Sequence, residues 1–212
     1  LDGAPRNIHA LFGAKLAHKA HGYCAYYESI FIHIHAMQQV IVQAHNPHWA
    51  TDFAAEADQI RGQLQHLAPQ MHHIGSTAIA GIYAKPVIDM LLVVTDLRAL
   101  DTANARMQSL GYEVMGEFGI PGRRYFRKNS AQGTRTHHVH AFAVGDANIE
   151  RHLAFRDYMN RHPAAAAAYS ALKQRLAAMH ASDIDAYIDG KDAFIKAYEA
   201  KALTWRALGA GD

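Results

Sequence analysis

The sequence predicts an α+β fold, with strands confined to the middle of the chain and a helical C-terminal part. Three observations carry that prediction. Val87 to Val94 is a near-continuous apolar run, as expected of a strand covered on both faces. Three further strand-like segments lie between Tyr112 and Val144, punctuated by Gly119, Pro121 and Gly122. After Gly145 the strand pattern stops and helical segments follow.

The elements follow in order. Trp49, Phe53, Ala57, Ile60 and Leu64 recur at helical spacing, which predicts an amphipathic helix over about 48–67. Met71 to Gly75 reads as a short strand, followed by a small-residue loop and the Val87–Val94 strand. Asp96 to Leu110 reads as one helix, with Gly111 as its C-cap. Tyr112 to Phe118, Arg124 to Lys128 and Thr136 to Val144 read as strands. Ile149 to Asn160 is helical, and Pro163 starts the next helix, where proline's missing N–H costs nothing. Ser182 is the expected N-cap of a last helix reaching roughly Leu208.

The chain has 212 residues and is half hydrophobic, enough for one globular domain, 41–212, with a sizeable core. Residues 1–40 form an N-terminal extension of different character. There Phe31-Ile32-His33-Ile34-His35 alternates as a strand would, while His21 to Gln39 suits a helix almost equally. Lys plus Arg number 21 against 19 Asp plus Glu, so no global field draws the chain onto nucleic acid or anionic lipid. Cys24 stands alone, which excludes an intrachain disulfide and favours a reducing compartment. No apolar run approaches the ~20 residues of a membrane helix, and no secretory signal pattern opens the chain. The expected localisation is cytoplasmic. Nothing in the sequence specifies an oligomeric state.

The chemistry concentrates in a few places. Asp89 is a carboxylate inside an apolar strand, which costs desolvation unless it is paired, hydrogen-bonded or bound to metal. It reads either as a site residue or as an acid ion-paired with Arg124 or Arg127. Gly75, Ser76 and Thr77 precede it, a turn in which backbone N–H groups and a hydroxyl can meet phosphate. His138 and His140 lie two apart on a strand and share a face, as two ligands or a base and its helper would. In a chain with 16 His, a His-rich strand without function is the competing reading. Lys85 precedes the Asp89 strand as a point charge for phosphate or as a solvated loop lysine. Arg123, Arg124, Arg127 and Lys128 interleave with Tyr125 and Phe126, either as an anion platform or as a charged edge strand. Arg156 and Lys173, on the C-terminal helices, are candidates to reach a cleft, with Asp157 placed to pin Arg156.

Taken in order, these segments resemble the GrpB family, also called UPF0157. The carrying motifs are Asn46-Pro47-His48-Trp49, His73-Ile74-Gly75-Ser76-Thr77 and Ala84-Lys85-Pro86-Val87-Ile88-Asp89. They continue through Arg124-Tyr125-Phe126-Arg127-Lys128, Thr136-His137-His138-Val139-His140 and Phe155-Arg156-Asp157-Tyr158. Tyr169 with Leu172-Lys173, and Tyr187 with Lys191 and Phe194, complete the series. The likeness covers about Val40 to Tyr198. His72 stands where the family often has Glu, and Ala80 where it usually has Pro.

The resemblance implies a mixed β-sheet flanked by helices, nucleotidyltransferase-like, with the Gly-Ser turn and strand carboxylate as the nucleotide and metal corner. Typical nucleotidyltransferases carry a second acid two residues along that strand and a third on a neighbouring strand. Here Leu91 takes the second position, and the neighbouring strand offers His138 and His140. One acid with two imidazoles leans from Mg toward a softer divalent ion, Mn or Zn. The leading expectation is metal-dependent transfer of a nucleotidyl group from a nucleoside triphosphate to a small acceptor. Asp89, His138 and His140 would hold metal or activate the acceptor. Ser76 and the Gly75 backbone would hold phosphate, and Lys85, Arg124 and Arg127 would neutralise developing charge. The rival expectations are a nucleotide-binding module without chemistry and a metal-dependent phosphoesterase.

Overall fold

The computed structural model describes residues 39–209. The strand and helix readings around Phe31–His35 and over 21–38 lie outside the described residues. The rest of the predicted α+β class is observed: a five-stranded mixed sheet, helices on both faces and a helical C-terminal part.

The first helix, α1 (His48–Gln63), gives way to a short 3-10 turn at Gln65–Leu67, so the predicted 48–67 helix tightens in its last turn. Strand β1 (Gln70–Ile74) leads through Gly75 into a 3-10 turn at Ser76–Ala78. Strand β2 (Ile88–Val94) is buried at every position except Asp89, which is half-buried. The single predicted helix over 96–110 is two short ones, α2 (Leu97–Thr102) and α3 (Asn104–Ser109), broken at Ala103. Strand β3 (Tyr112–Val114) is shorter than expected, because Gly116, Phe118 and Gly119 take positive φ and turn the chain away. Strands β4 (Arg124–Asn129) and β5 (Arg135–Ala143) follow. The C-terminal part comprises α4 (Ala147–Arg161), α5 (Pro163–Met179) and α6 (Ile184–Ala207). The N-cap of α6 is Asp183 rather than Ser182, with its carboxylate accepting from the Ala186 N–H.

The strand order is β1-β2-β5-β4-β3. Only β2 and β5 run parallel, which makes them the centre of a sheet covered on both sides. One face packs Met90, Leu92, Val94, Val139 and Phe126 against Ile60 of α1, Leu64 just after it and Met107 of α3. The other face carries Asp89, His138 and His140. Its apolar part, Ile74, Leu91, Val93 and Phe142, meets Ile149 and Leu153 of α4. Among the described residues no helix is long and apolar enough to cross a membrane.

The α1 face holds one buried ion pair. Lys128 Nζ lies 2.8 and 3.1 Å from the two carboxylate oxygens of Glu56, which is 5% exposed. It also lies 5.4 Å from the Tyr112 ring centroid. Burial, then the charge of Glu56, pushes the Tyr112 hydroxyl far above its ordinary range, so it stays protonated. Removing one partner of a buried pair strands the other charge at a cost of about 3–5 kcal/mol. Lys128→Met is therefore expected to lower unfolding free energy in urea by about that amount. The double variant Lys128→Met with Glu56→Gln should recover most of the loss.

Candidate functional site

Strand register assembles the site. Antiparallel pairing sets Ile74 opposite Asp89, and parallel pairing sets Asp89 beside His138 and Leu91 beside His140. Side chains paired across a ladder share a face, so Asp89, Leu91, His138 and His140 all project to the same side. His138 Nδ1 lies 3.0 Å from Asp89 Oδ1, and His140 Nε2 lies 4.0 Å from it. His137 pairs with Ile88 on the opposite face, where its Nδ1 meets Thr136 Oγ1.

Gly75 closes the site from the β1 side. Its backbone sits at φ 68°, ψ −166°, a conformation essentially restricted to glycine. A Cβ there would meet the Asp89 carboxylate oxygen and lie 2.8 Å from Asp89 Cβ and 2.9 Å from its Cγ. No residue with a side chain fits while Asp89 keeps its place. The sequence placed Gly75 as a phosphate contact, and the geometry adds this second demand.

Beside Asp89 lies a cavity of about 280 Å³. The Gly75–Ser76 turn, Asp89 and His140 form one wall, and Arg151, His152 and Phe155 of α4, Tyr169 of α5 and Lys191 and Glu199 of α6 form the other. Ser76 Oγ donates to Tyr169 Oη over 3.5 Å. Tyr169 stacks on Phe194, and Phe194 on Tyr198, an aromatic run leading outward from the cavity. Arg151 is paired with Glu199. Behind Tyr169 sits Lys173, 1% exposed, its Nζ 4.5 Å from the ring centroid and without a hydrogen-bond partner.

The electrostatics are uneven. Burial pushes the Lys173 ammonium down to about 7, with Lys191 adding repulsion and Asp89 opposing. Burial likewise lowers Lys191 to about 8, with Asp89 opposing and Lys85 adding to the fall. Lys85, half-buried before β2, is also lowered by burial, with Asp89 again opposing. Burial pushes the Asp89 carboxyl up, but the hydrogen bond and charge of His138, then His140 and Lys191, outweigh it and hold it below the ordinary range. The charge of Asp89 thus opposes the effect of burial at all three lysines. Burial keeps His140 neutral down to about 4 and His152 down to about 3.

Not every expected residue reaches this place. Thr77 is buried and its hydroxyl is used internally, 2.9 Å from His73 Nε2 and 3.4 Å from the Val87 carbonyl. Arg124 projects to the α1 face and clasps Asp101 at 2.6 and 2.8 Å. Arg127 pairs with Glu113 on the neighbouring strand. Both are therefore committed away from Asp89, and neither is its ion-pair partner. Arg156 donates to the His73 carbonyl at 3.0 Å and to Asp157 at 2.6 Å, pinning the end of β1. Asp157 does hold Arg156, as expected. Lys191, Tyr169, Arg151, His152 and Glu199 were not singled out as site residues. Tyr169 and Lys191 appear in the sequence only within the ordered motif series, and Arg151, His152 and Glu199 carry no signal there at all.

The donor set suits a divalent ion. Asp89, His138 and His140 each offer one ligand atom, all within 4.8 Å of one another. One carboxylate with imidazole donors would match Mn or Zn better than Mg.

A sequence model described as GrpB protein matches residues 39–201. The UPF0157 protein YqkA of Bacillus subtilis is 42% identical over 178 residues, 84% of this chain. The chain spans about half, 51%, of that relative. The crystal structure of the conserved protein GrpB from Enterococcus faecalis superposes with a TM-score of 0.74 at 42% identity, over 77% of this chain and 98% of that one. A Cid1 poly(U) polymerase structure is similar at a TM-score of only 0.44 and 9% identity, over 72% of this chain and 50% of that one, too slight a likeness to carry a reading of function.

Two outcomes are expected. Gly75→Ala must displace Asp89 and strain the turn, and should cost about 2–4 kcal/mol in urea unfolding. Second, His73, like His140 and His152, is held below 6.5 by burial, so the unfolded chain binds more protons between pH 6.5 and 4. Their neutral forms contribute stability that is present above pH 6.5 and lost as pH falls. In chelator, unfolding free energy should drop by a few kcal/mol from pH 7.5 to pH 5, and His152→Leu should flatten that slope.

Proposed function

The chain belongs to the GrpB family, and from the cavity beside Asp89 we propose that it binds a nucleotide or similar phosphorylated small molecule together with a divalent cation. The reaction proposed is nucleotidyl transfer to a small acceptor. One observation carries the reading: Lys191 lines the same cavity as Asp89 and the Gly75–Ser76 turn, and Lys173, buried behind Tyr169, has no hydrogen-bond partner. Cationic side chains at a turn that can offer N–H groups and a hydroxyl favour an anionic ligand.

The parts divide naturally. The Gly75–Ser76 turn and Lys191 face the cavity and would take phosphoryl oxygens, with Lys85 and Lys173 supplying charge from behind. Phe155 and Tyr169, with the aromatic run behind them, offer an apolar wall for the rest of the ligand. Asp89 would anchor the cation, with His138 beside it. A cation there would offset charge on the phosphoryl oxygens. The cavity is large enough for a phosphate chain but small for a whole nucleotide, so the base would lie toward Phe194 and Tyr198.

Leu91 favours a second reading. It is fully buried, packed with Ile74, Val93 and Phe142, in the position where a second acid would stand. A site with one acid suits binding without transfer. Calorimetry with ATP, CTP, GTP and UTP, each with Mg, Mn or Zn, tests both. Binding strengthened by a divalent ion is expected, with Lys191→Met weakening it at least tenfold and Asp89→Asn removing the divalent dependence. Binding that persists in chelator, with no turnover of any acceptor, would select the second reading. No nucleotide binding with any cation would refute both.

A further inference from the structure

We infer that Arg123 locks His140 in the tautomer with its proton on Nε2, so that His140 is a hydrogen-bond donor to a bound phosphoryl oxygen while His138 turns a protonated Nδ1 toward Asp89. Two imidazoles that look equivalent in the sequence then have opposite parts.

A guanidinium carries N–H donors and no acceptor. Arg123 Nη1 lies 3.3 Å from His140 Nδ1, so that nitrogen must accept. Arg123 is not free to turn away. It is 6% exposed, its Nε donates to the Glu117 carbonyl at 3.2 Å, and its Nη2 to the Phe118 carbonyl at 2.7 Å. Its guanidinium also lies 4.9 Å from the Tyr125 ring centroid. A doubly protonated His140 would set two cations against each other. With Nδ1 accepting, the single proton of the neutral ring sits on Nε2. That N–H is 4.0 Å from Asp89 Oδ1, beyond hydrogen-bond length, and it has no other partner among the described residues. His140 lines the cavity, so an unmatched donor stands where phosphate is proposed to lie.

His138 is arranged the other way. Its Nδ1 lies 3.0 Å from Asp89 Oδ1, and an ionised carboxylate only accepts. A proton therefore sits on Nδ1. A carboxylate behind the ring is the usual support of a base or a metal ligand. His140 has a guanidinium behind it instead, which is the wrong polarity for ligation through Nε2. A cation at this site accordingly draws on Asp89 and not on His140.

The identity of the accepting oxygen rests on the proposed function; the tautomers do not. The test is long-range ¹H–¹⁵N correlation on the ¹⁵N-histidine-labelled chain at neutral pH in chelator. His140 should show a protonated Nε2 and a bare Nδ1, and His138 a protonated Nδ1. Arg123→Met should shift His140 toward the Nδ1–H form, and Arg123→Lys should restore at least part of the original pattern. Zinc should leave His140 Nε2 protonated. A protonated Nδ1 on His140 in the parent chain, an unchanged pattern in folded Arg123→Met, or a zinc-bound His140 Nε2 would each overturn the assignment. Should Arg123→Met not fold, the parent pattern and the zinc titration decide alone. Pyrophosphate should move the His140 Nε2–H proton downfield. If the tautomers hold and pyrophosphate moves nothing, the phosphate reading falls and the tautomer assignment stands.

Discussion

Gly75 and Asp89 compete for the same space, and the rest of the site follows from how that competition is resolved. The β1–β2 register sets Ile74 against Asp89, which brings the next residue against the carboxylate. Only a residue without Cβ, in a backbone conformation that others avoid, leaves the acid its place. The same turn then presents Ser76 to the cavity and Thr77 to the interior. A structural requirement and a binding surface are thus met by one short segment.

Around that point the charges are deliberately unbalanced. The α1 face pairs its basic residues internally, Arg124 with Asp101 and Lys128 with Glu56. Arg127, on the Asp89 side of the sheet, is answered by Glu113, and in the cavity Arg151 is answered by Glu199. Lys173, by contrast, is buried with no hydrogen-bond partner, and Lys191 faces the cavity over the Tyr187 ring. A buried ammonium without a partner is costly, and an anionic ligand in the cavity would relieve that cost.

Much of this was legible in the sequence, for physical reasons that differ by residue. Period-two alternation put His138 and His140 on one face, and an isolated acid in an apolar run marked Asp89. The same alternation separated Arg124 from Arg127. It did not reveal that each already had a carboxylate across the sheet or on the next strand, because Asp101 and Glu113 lie in other elements. Arg156 was visible as a charged helix residue, but its role in holding the His73 carbonyl depends on where α4 crosses β1. Lys191 and Glu199 reach the cavity only because α6 packs back over α4. Helix boundaries erred where local chemistry decided, as at Asp183 over Ser182 and at the break in 96–110.

The most direct measurement of the central claim is a crystal structure of the full chain grown with Mn and a non-hydrolysable nucleoside triphosphate analogue, with anomalous data collected for the metal. The account predicts a manganese peak at bonding distance from Asp89. It also predicts phosphate density between the Ser76 turn and Lys191, and His140 Nε2 within hydrogen-bond distance of a phosphoryl oxygen. Nucleotide bound elsewhere on the chain, with the Asp89 cavity unchanged and free of metal, would contradict it.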